Sequence, residues 1–270
     1  MKKILAITVY FCVFQVNAAK IETTSFKHEL VNEFYLNNIL LNDTIKINTT
    51  NLLSKKIALG KSNYIVYAKK GKDAPAMNIT FVEIDVVKEA FNDKKAYKIT
   101  QKWSEKDTLL HTSETILSEN NLATLYHKTW WKKNNQVTEV DYTKKKFTVT
   151  GKDEKFNKRA EEGLKTSFLD TNFINWHSDL HLFPLLPFKE AAIFKVNVYD
   201  PGYSPPREEI YTVIGSEKIE GNDCWILNFE LPNNMGYQRF WVSKSDKIII
   251  KEEDNFRGNY RYKLKTITGQ

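Results

Sequence analysis

Two histidines in the run NWHSDLHLFPLLPF (175–188) have a spacing that could bind a metal ion. His177 and His181 stand four residues apart, so on a helix their imidazoles would share a face. A catalytic zinc needs three protein ligands and one open position. Asp179 points to another helical face, so a third ligand would have to come from elsewhere. Burial is an equally simple explanation, because the pair lies in the most apolar run of the mature chain.

The residues around this pair predict a helix over 171–183. Asp170 is suited to the N-cap, and Pro184 ends the pattern. At about 100° per residue the two histidines fall on the flank of the core-facing stripe, where half-buried side chains are usual. We therefore expect neither a metal site nor a cofactor. The stripe itself consists of Phe173, Trp176, Leu180 and Phe183.

Two other motifs that could support catalysis are incomplete. Gly60-Lys61-Ser62 ends like a phosphate-binding loop, but Lys55 stands where that loop needs its first glycine. Gly202-Tyr203-Ser204 is followed by two prolines, which do not suit the strand-to-helix turn of a nucleophilic serine. With no complete catalytic set, the sequence predicts a protein that is not an enzyme and has no catalytic residues.

From about residue 60 onward, apolar residues alternate with polar ones, as in half-buried strands. Clusters of Asn, Asp, Gly, Ser and Pro separate these runs at turn-like intervals. The pattern predicts antiparallel hairpins without a βαβ rhythm. The runs include NYIVYAKK (63–70), AYKITQKW (96–103), KKFTVT (145–150), IFKVNVY (193–199), CWILNFEL (224–231) and YQRFWV (237–242).

Large aromatic side chains on these strands either fill the interior of a curved sheet or line a groove for a ligand. Plain core packing and a ligand groove both remain open at this level. If a groove exists, its predicted apolar lining comes from the helix and three strand positions rich in aromatic residues. The expected lining residues are Trp176, Leu180, Phe183, Trp225, Leu227, Phe229 and Trp241.

The N-terminus predicts export from a bacterial cell. Lys2 and Lys3 precede an apolar stretch from Ile4 to Val16, with small residues at 17–18, so residues 1–18 have the pattern of a signal peptide. The stretch is too short to span a bilayer comfortably, and we expect no transmembrane segment. The predicted location is the periplasm or the extracellular space.

The remaining chain is divided into an N-terminal arm (19–59) and a strand-rich domain (60–270). Within that domain, the charged run GKDEKFNKRAEEG (151–163) is predicted to be a loop, followed by the helix over 171–183. One continuous sheet and two separate domains fit this pattern equally well. The formal charge of +7 is a mild excess spread along the chain, and we expect no nucleic-acid partner.

The C-terminal half resembles a family of exported bacterial domains of unknown function whose fold is similar to that of the lipoprotein carriers LolA and LolB. The family has an aspartate-led helix, a Leu-Pro-Leu/Phe motif entering a strand, an aromatic-rich strand and a Phe/Trp-led hairpin. The matching positions are Asp170, Leu186-Pro187-Phe188, Trp225 and Phe240-Trp241-Val242. The resemblance covers about residues 60–266.

This resemblance implies a mainly β (α+β) fold: a strongly curved antiparallel sheet, or half-barrel, wrapped around one central helix. It also implies a non-enzymatic protein that holds a lipid-like or amphipathic ligand in an apolar groove on the concave side. Two alternatives stay open. One is a metal-dependent hydrolase that uses His177 and His181, and the other is a structural envelope protein that binds another envelope protein.

Overall fold

The computed structural model describes residues 44–201 and 205–266. The predicted signal peptide (1–18), residues 19–43 of the predicted arm and the serine of the Gly202-Tyr203-Ser204 motif lie outside the described residues. None of the helices in the described ranges is long and apolar enough to cross a membrane.

Alternating strand sequences form the secondary structure that the period of two predicts, and the run at 193–199 coincides with β10. The first strands are β1 (Thr44–Ile47), β2 (Gly60–Lys70), β3 (Met77–Phe91), β4 (Lys94–Glu105), β5 (Thr108–Ser118), β6 (Thr124–Trp131), β7 (Gln136–Asp141) and β8 (Lys146–Thr150). Then follow helix α1 (Glu154–Ser167), β9 (Ile174–Asn175), helix α2 (Asp179–Leu182), β10 (Ile193–Tyr199), β11 (Arg207–Ile219), β12 (Asn222–Leu231), β13 (Gly236–Ser243), β14 (Ile249–Phe256) and β15 (Asn259–Lys265).

The strands form one continuous sheet rather than two domains. The order is β1-β10-β11-β12-β13-β14-β15-β2-β3-β4-β5-β6-β7-β8, with β9 paired to β10. All pairs are antiparallel except β1 and β9 on β10. The C-terminal strand β15 lies between β14 and β2, so it joins the two halves of the chain.

The sheet is strongly curved and wraps around a short helical segment, as predicted. Register shifts interrupt several strand pairs, including β11–β12 at Val213/Gly215 and β4–β5 at Trp103/Ser104. Such bulges increase twist and bend a sheet. On the concave side lies what we call the covering segment, residues 176–185, made of two 3-10 turns (Trp176–Ser178 and Phe183–Leu185) flanking α2.

The main hydrophobic core lies between the covering segment and the sheet. Phe183 is fully buried, with its ring centroid 5.1 Å from Phe240 and 5.0 Å from Tyr211. A smaller second core lies toward α1. It contains Val140, Tyr142, Leu164, Phe173 and Tyr199.

The prediction of a loop over 151–163 is wrong, because most of that run belongs to α1. The carboxylate of Asp153 accepts a hydrogen bond from the backbone N–H of Phe156 and caps the helix. Ala160 and Leu164 are buried one turn apart on its inner face. The many charged residues are the solvent-facing side of an amphipathic helix rather than a sign of irregular structure.

The helix predicted over 171–183 is shorter than expected and begins later. Ile174 and Asn175 pair with β10 as a strand, and the side chain of Asn175 accepts from the N–H of His177. Asp170 does not cap a helix, because its carboxylate accepts from the N–H of Asn172 in a local turn. Strand pairing to β10 outweighs the helical pattern of residues 171–175.

The predicted boundary at residue 60 also differs from the structure. Ile47 is fully buried, and β1 pairs with β10. The N–H of Leu53 donates to the carbonyl of Leu185 in the covering segment. Residues 44–59 are therefore part of the folded sheet and its core.

Candidate functional site

The predicted groove residues mostly lie inside the main core. Leu180, Phe183, Leu227 and Phe229 are buried there, with Leu180 and Phe183 on the covering segment and the other two on β12. Trp225 is half-buried against the same core, where its ring stacks with Phe188. Trp176 is half-buried at the start of the covering segment.

Trp241 does not lie on the concave side with the other predicted lining residues. Its cross-strand partner is Ile226, whereas the neighbouring Phe240 pairs with the core residue Leu227. Successive residues in a strand point to opposite faces, so Trp241 faces outward. There its indole N–H donates to Glu217 (2.6 Å), and the Lys251 ammonium lies 3.9 Å from the ring centroid.

The concave side also contains many buried polar residues that the sequence pattern does not predict. Gln101 pairs across the sheet with the core residue Ile84, so it lies on the concave face. By the same register, the polar residues of β5, β6 and β7 line this face beside it. They are His111, Ser113, Thr115, His127, Thr129, Gln136 and Thr138, and all are buried.

His111, His127 and His177, which we call the histidine group, connect this polar face to the covering segment. The ring of His177 has its centroid 5.2 Å from that of His111 and 4.9 Å from that of His127. Gln101 donates from its side-chain amide to the carbonyl of His177 at 2.7 Å. His177 is therefore tied to the sheet through both its side chain and its backbone.

Hydrogen bonding assigns the protons of two of these rings. Nδ1 of His111 lies 2.9 Å from the carbonyl oxygen of Trp130, so this nitrogen donates. In neutral His111, Nε2 must then accept, and it lies 3.1 Å from Nε2 of His177. His177 therefore carries its proton on Nε2, which leaves Nδ1 as an acceptor 3.9 Å from the Asp200 carboxyl, beyond hydrogen-bond distance.

Burial keeps these imidazoles neutral. It lowers the pKa of His111 to about 4 and that of His127 to about 3, and it holds the pKa of His177 well below its usual range. His127 bonds through Nδ1 to Thr115, while its Nε2 has no hydrogen-bond partner among the described residues. These rings serve as neutral hydrogen-bonding groups at ordinary pH.

The two histidines singled out by the sequence do not form a metal site together. The ring contacts of His177 are with His111 and His127, whereas His181 is half-buried and has its pKa lowered to about 4 by desolvation. The facing nitrogens of His111 and His177 share a hydrogen bond with each other. In the ranges 44–201 and 205–266, no group of three or more His, Cys, Asp or Glu side chains is placed to hold a metal ion.

Glu252, Asp254, Arg261 and Lys263, which we call the charged group, form a second polar feature on the concave side. Glu252 accepts from both Arg261 and Lys263 at 2.5 Å, and Arg261 also binds Asp254 at 2.6 Å. Burial alone would raise the pKa of Glu252, but the charges of Lys263 and Arg261 outweigh it and lower that pKa. Glu252 therefore stays ionised between two cations.

Asp179 of the covering segment lies near the charged group. Burial raises its pKa well above the ordinary value, although Lys263 opposes the shift. Lys263 also lies 5.4 Å from the ring centroid of Trp103, which contacts His111. The charged group and the histidine group thus approach each other beneath one end of the covering segment.

The chain belongs to a family of proteins of unknown function, DUF3108, whose model matches residues 63–265. This confirms the resemblance to a family of unknown function. No functionally curated protein matches the chain.

Several solved structures are similar to this chain at low identity. Lipoprotein LppX of Mycobacterium tuberculosis is 8% identical with a TM-score of 0.29, over 77% of this chain and 86% of that one. A putative outer membrane lipoprotein-sorting protein domain from Vibrio parahaemolyticus is 11% identical with a TM-score of 0.29, over 80% and 89%. A LolA superfamily protein of Nitrosomonas europaea is 9% identical with a TM-score of 0.25, over 82% and 92%. None of these similarities is strong enough to assign a function.

Proposed function

We propose that this protein is a non-enzymatic binding protein, exported from a bacterial cell, that holds an amphipathic or lipid-like ligand on the concave side of its half-barrel. The observation that supports this most directly is the two-part character of that side. Apolar residues around Leu227 and Phe229 adjoin a buried polar region, and one short covering segment lies over both. An acyl chain with a polar head group has the same two-part chemistry.

The apolar part would take the acyl chain. Leu180 and Phe183 now pack over this part of the sheet, so a ligand would bind by displacing the covering segment and replacing those two side chains. This exchange conserves apolar contacts, because the acyl chain covers the apolar surface that Leu180 and Phe183 would otherwise leave exposed. Each buried methylene contributes about 0.8 kcal/mol, so several carbons offset the loss of the two side chains.

The polar part would take the head group. Several of its buried polar atoms have no hydrogen-bond partner in the described part of the chain, among them Ser113 Oγ, His127 Nε2 and His177 Nδ1. Buried polar groups normally have partners, and a ligand head group that both donates and accepts would supply them. Neutral imidazoles favour a hydrogen-bonding head group over one that needs a cationic histidine.

A non-enzymatic role is supported by the histidine group. His111 and His177 use their facing nitrogens on each other, and burial leaves all three rings with lowered pKa values. A general base needs a pKa near the working pH and access to the substrate. Export is supported by the signal-peptide pattern of residues 1–18.

The test measures binding of saturated fatty acids of increasing length by displacement of a fluorescent fatty acid. If the acyl chain lies along the apolar part of the concave side, the affinity should increase about fourfold for each added methylene until that part is filled. Native mass spectrometry of protein purified from its own cell envelope should show a bound species of matching mass. The proposal would be wrong if the purified protein carried no ligand and also bound no fatty acid.

A matched pair of variants locates the site. Leu180→Ser places a hydroxyl in the apolar part and should weaken binding, whereas Leu169→Ser changes a side chain that is 87% exposed and should leave it unchanged. Equal effects of the two variants would place the ligand elsewhere.

A further inference from the structure

A separate open pocket lies where three hairpin turns meet at one end of the strands. The turns are β3–β4, β5–β6 and β7–β8, and Thr171 completes the wall after α1. Its volume is about 840 Å³, within the range of small-molecule sites. We call it the turn pocket; its lining includes Lys94, Lys95, Asn120, Asn121, Thr124 and Tyr142.

The turn pocket has two lysines in its lining. Lys94 and Lys95 are exposed, and among the described residues neither ammonium group forms an ion pair with a carboxylate. Glu119 also lines the pocket, and its carboxylate is paired with Lys88 and attracted by the charge of Lys95. An anionic group at the mouth would therefore meet a lining with two lysines and one carboxylate that is already paired, which leaves a net positive charge.

The wall from the β5–β6 turn is built with a strained backbone. Leu122 is a bulky residue at φ 58°, a left-handed conformation that such residues rarely adopt. Its fully buried side chain anchors the turn in the main core. The N–H of Leu122 donates to the carbonyl of Ser118, and the N–H of Ser118 donates to that of Ala123. Asn120 and Asn121 are thus presented by a rigid turn.

The polar groups of this wall suit hydroxyls. The side-chain oxygen of Asn121 accepts from the N–H of Ala123, which leaves its NH₂ group to donate. Thr124 is 1% exposed, and its hydroxyl has no hydrogen-bond partner in the described ranges. Amides and hydroxyls both donate and accept, as sugar hydroxyls do, and the Tyr142 ring adds one apolar surface.

We propose that the turn pocket binds a saccharide that bears an anionic group, with Lys94 and Lys95 binding the anion and the β5–β6 turn binding the hydroxyls. This site is independent of the ligand proposed for the concave side. Phosphate and carboxylate sugars share the chemistry, so both are tested.

The probes are glucose 6-phosphate and glucuronate. Glucose and inorganic phosphate serve as controls, because each has only one of the two groups that the pocket should recognise. Each compound is titrated into the full-length protein, and binding is monitored by backbone amide NMR. Saturable shifts should appear at residues 94–95, 118–124 and 142–143, and the anionic sugars should bind at least about tenfold more tightly than either control. Absence of saturable shifts there, or equal affinity for glucose, would overturn the proposal.

A charge-matched control separates the site from general electrostatics. Lys94→Gln/Lys95→Gln should weaken glucose 6-phosphate about fivefold or more and leave glucose unchanged. Lys132→Gln/Lys133→Gln removes the same charge from the β6–β7 turn at the opposite end of the strands and should have little effect. Equal losses in both variants would show that only net charge matters.

Discussion

The proton on His177 is placed by residues far away in sequence. Because Nδ1 of His111 donates to the Trp130 carbonyl, its Nε2 accepts from His177, 66 residues later in the chain. An additional proton on His111 would set two N–H groups against each other, and an additional proton on either ring would bury a charge. The histidine group is therefore stable only while its rings are neutral.

His127 should make the protein sensitive to acid. Burial lowers its folded pKa to about 3, whereas the unfolded chain has a histidine pKa near 6.5. Its neutral form is favoured in the fold, so stability is retained above about pH 6.5 and lost as pH falls toward 3. The free energy of unfolding is measured with urea at pH 7.5 and at pH 5. Its decrease between the two pH values should be about 2 kcal/mol larger in wild type than in His127→Asn.

The control for this prediction is Thr115→Val, which removes the hydrogen bond to His127 but keeps the titrating ring. It should be destabilised at both pH values and retain the acid sensitivity of wild type. If His127→Asn lost as much stability as wild type on acidification, neutral burial of this ring would be excluded as the cause.

At the scale of elements, the covering segment depends on packing rather than on helix propensity. Its only α-helical part is four residues long, too short to be stable alone. Phe183 anchors it, with an edge-to-face contact to Phe240. Phe183→Ala should therefore cost about 3–5 kcal/mol of unfolding free energy, measured by urea denaturation.

Leu169→Ala is the matched comparison for Phe183→Ala, because Leu169 lies close in sequence but is almost fully exposed. Its effect should stay within about 0.5 kcal/mol. A comparable loss in both variants would mean that the covering segment is not packed as described.

The alternation of apolar and polar residues predicts the strands well, because a repeat of two residues can be recognised locally. For example, the alternating run at 193–199 has the same bounds as β10. The identity of the concave face was less predictable. His111, Ser113 and Thr115 share one face of β5, and their polarity indicates solvent exposure, yet that face is buried. Their burial depends on cross-strand neighbours and on a covering segment more than 60 residues away, which no local pattern encodes.

At the scale of the whole molecule, the strand order makes β15 the link between the two halves of the sheet. Tyr260 pairs with Asn255 of β14 on one side and with Lys69 of β2 on the other. The β2 partner is almost 200 residues earlier in the chain, so the sheet becomes continuous only when the C-terminal strand is in place. Long-range pairing of this kind gives cooperative folding at the expense of speed.

Tyr260→Pro tests this role of β15. Proline fixes φ, removes a backbone donor and is not tolerated in the middle of a sheet, so the pairing of β15 with its neighbours should be disturbed. Unfolding in urea is measured by far-UV circular dichroism and by tyrosine and tryptophan fluorescence. The expected result is that the variant no longer shows a single cooperative transition. Lys146→Pro is the matched control, because Lys146 is the first residue of the edge strand β8, where proline is tolerated. A cooperative transition retained by Tyr260→Pro would show that the two halves of the sheet fold without β15 as their link.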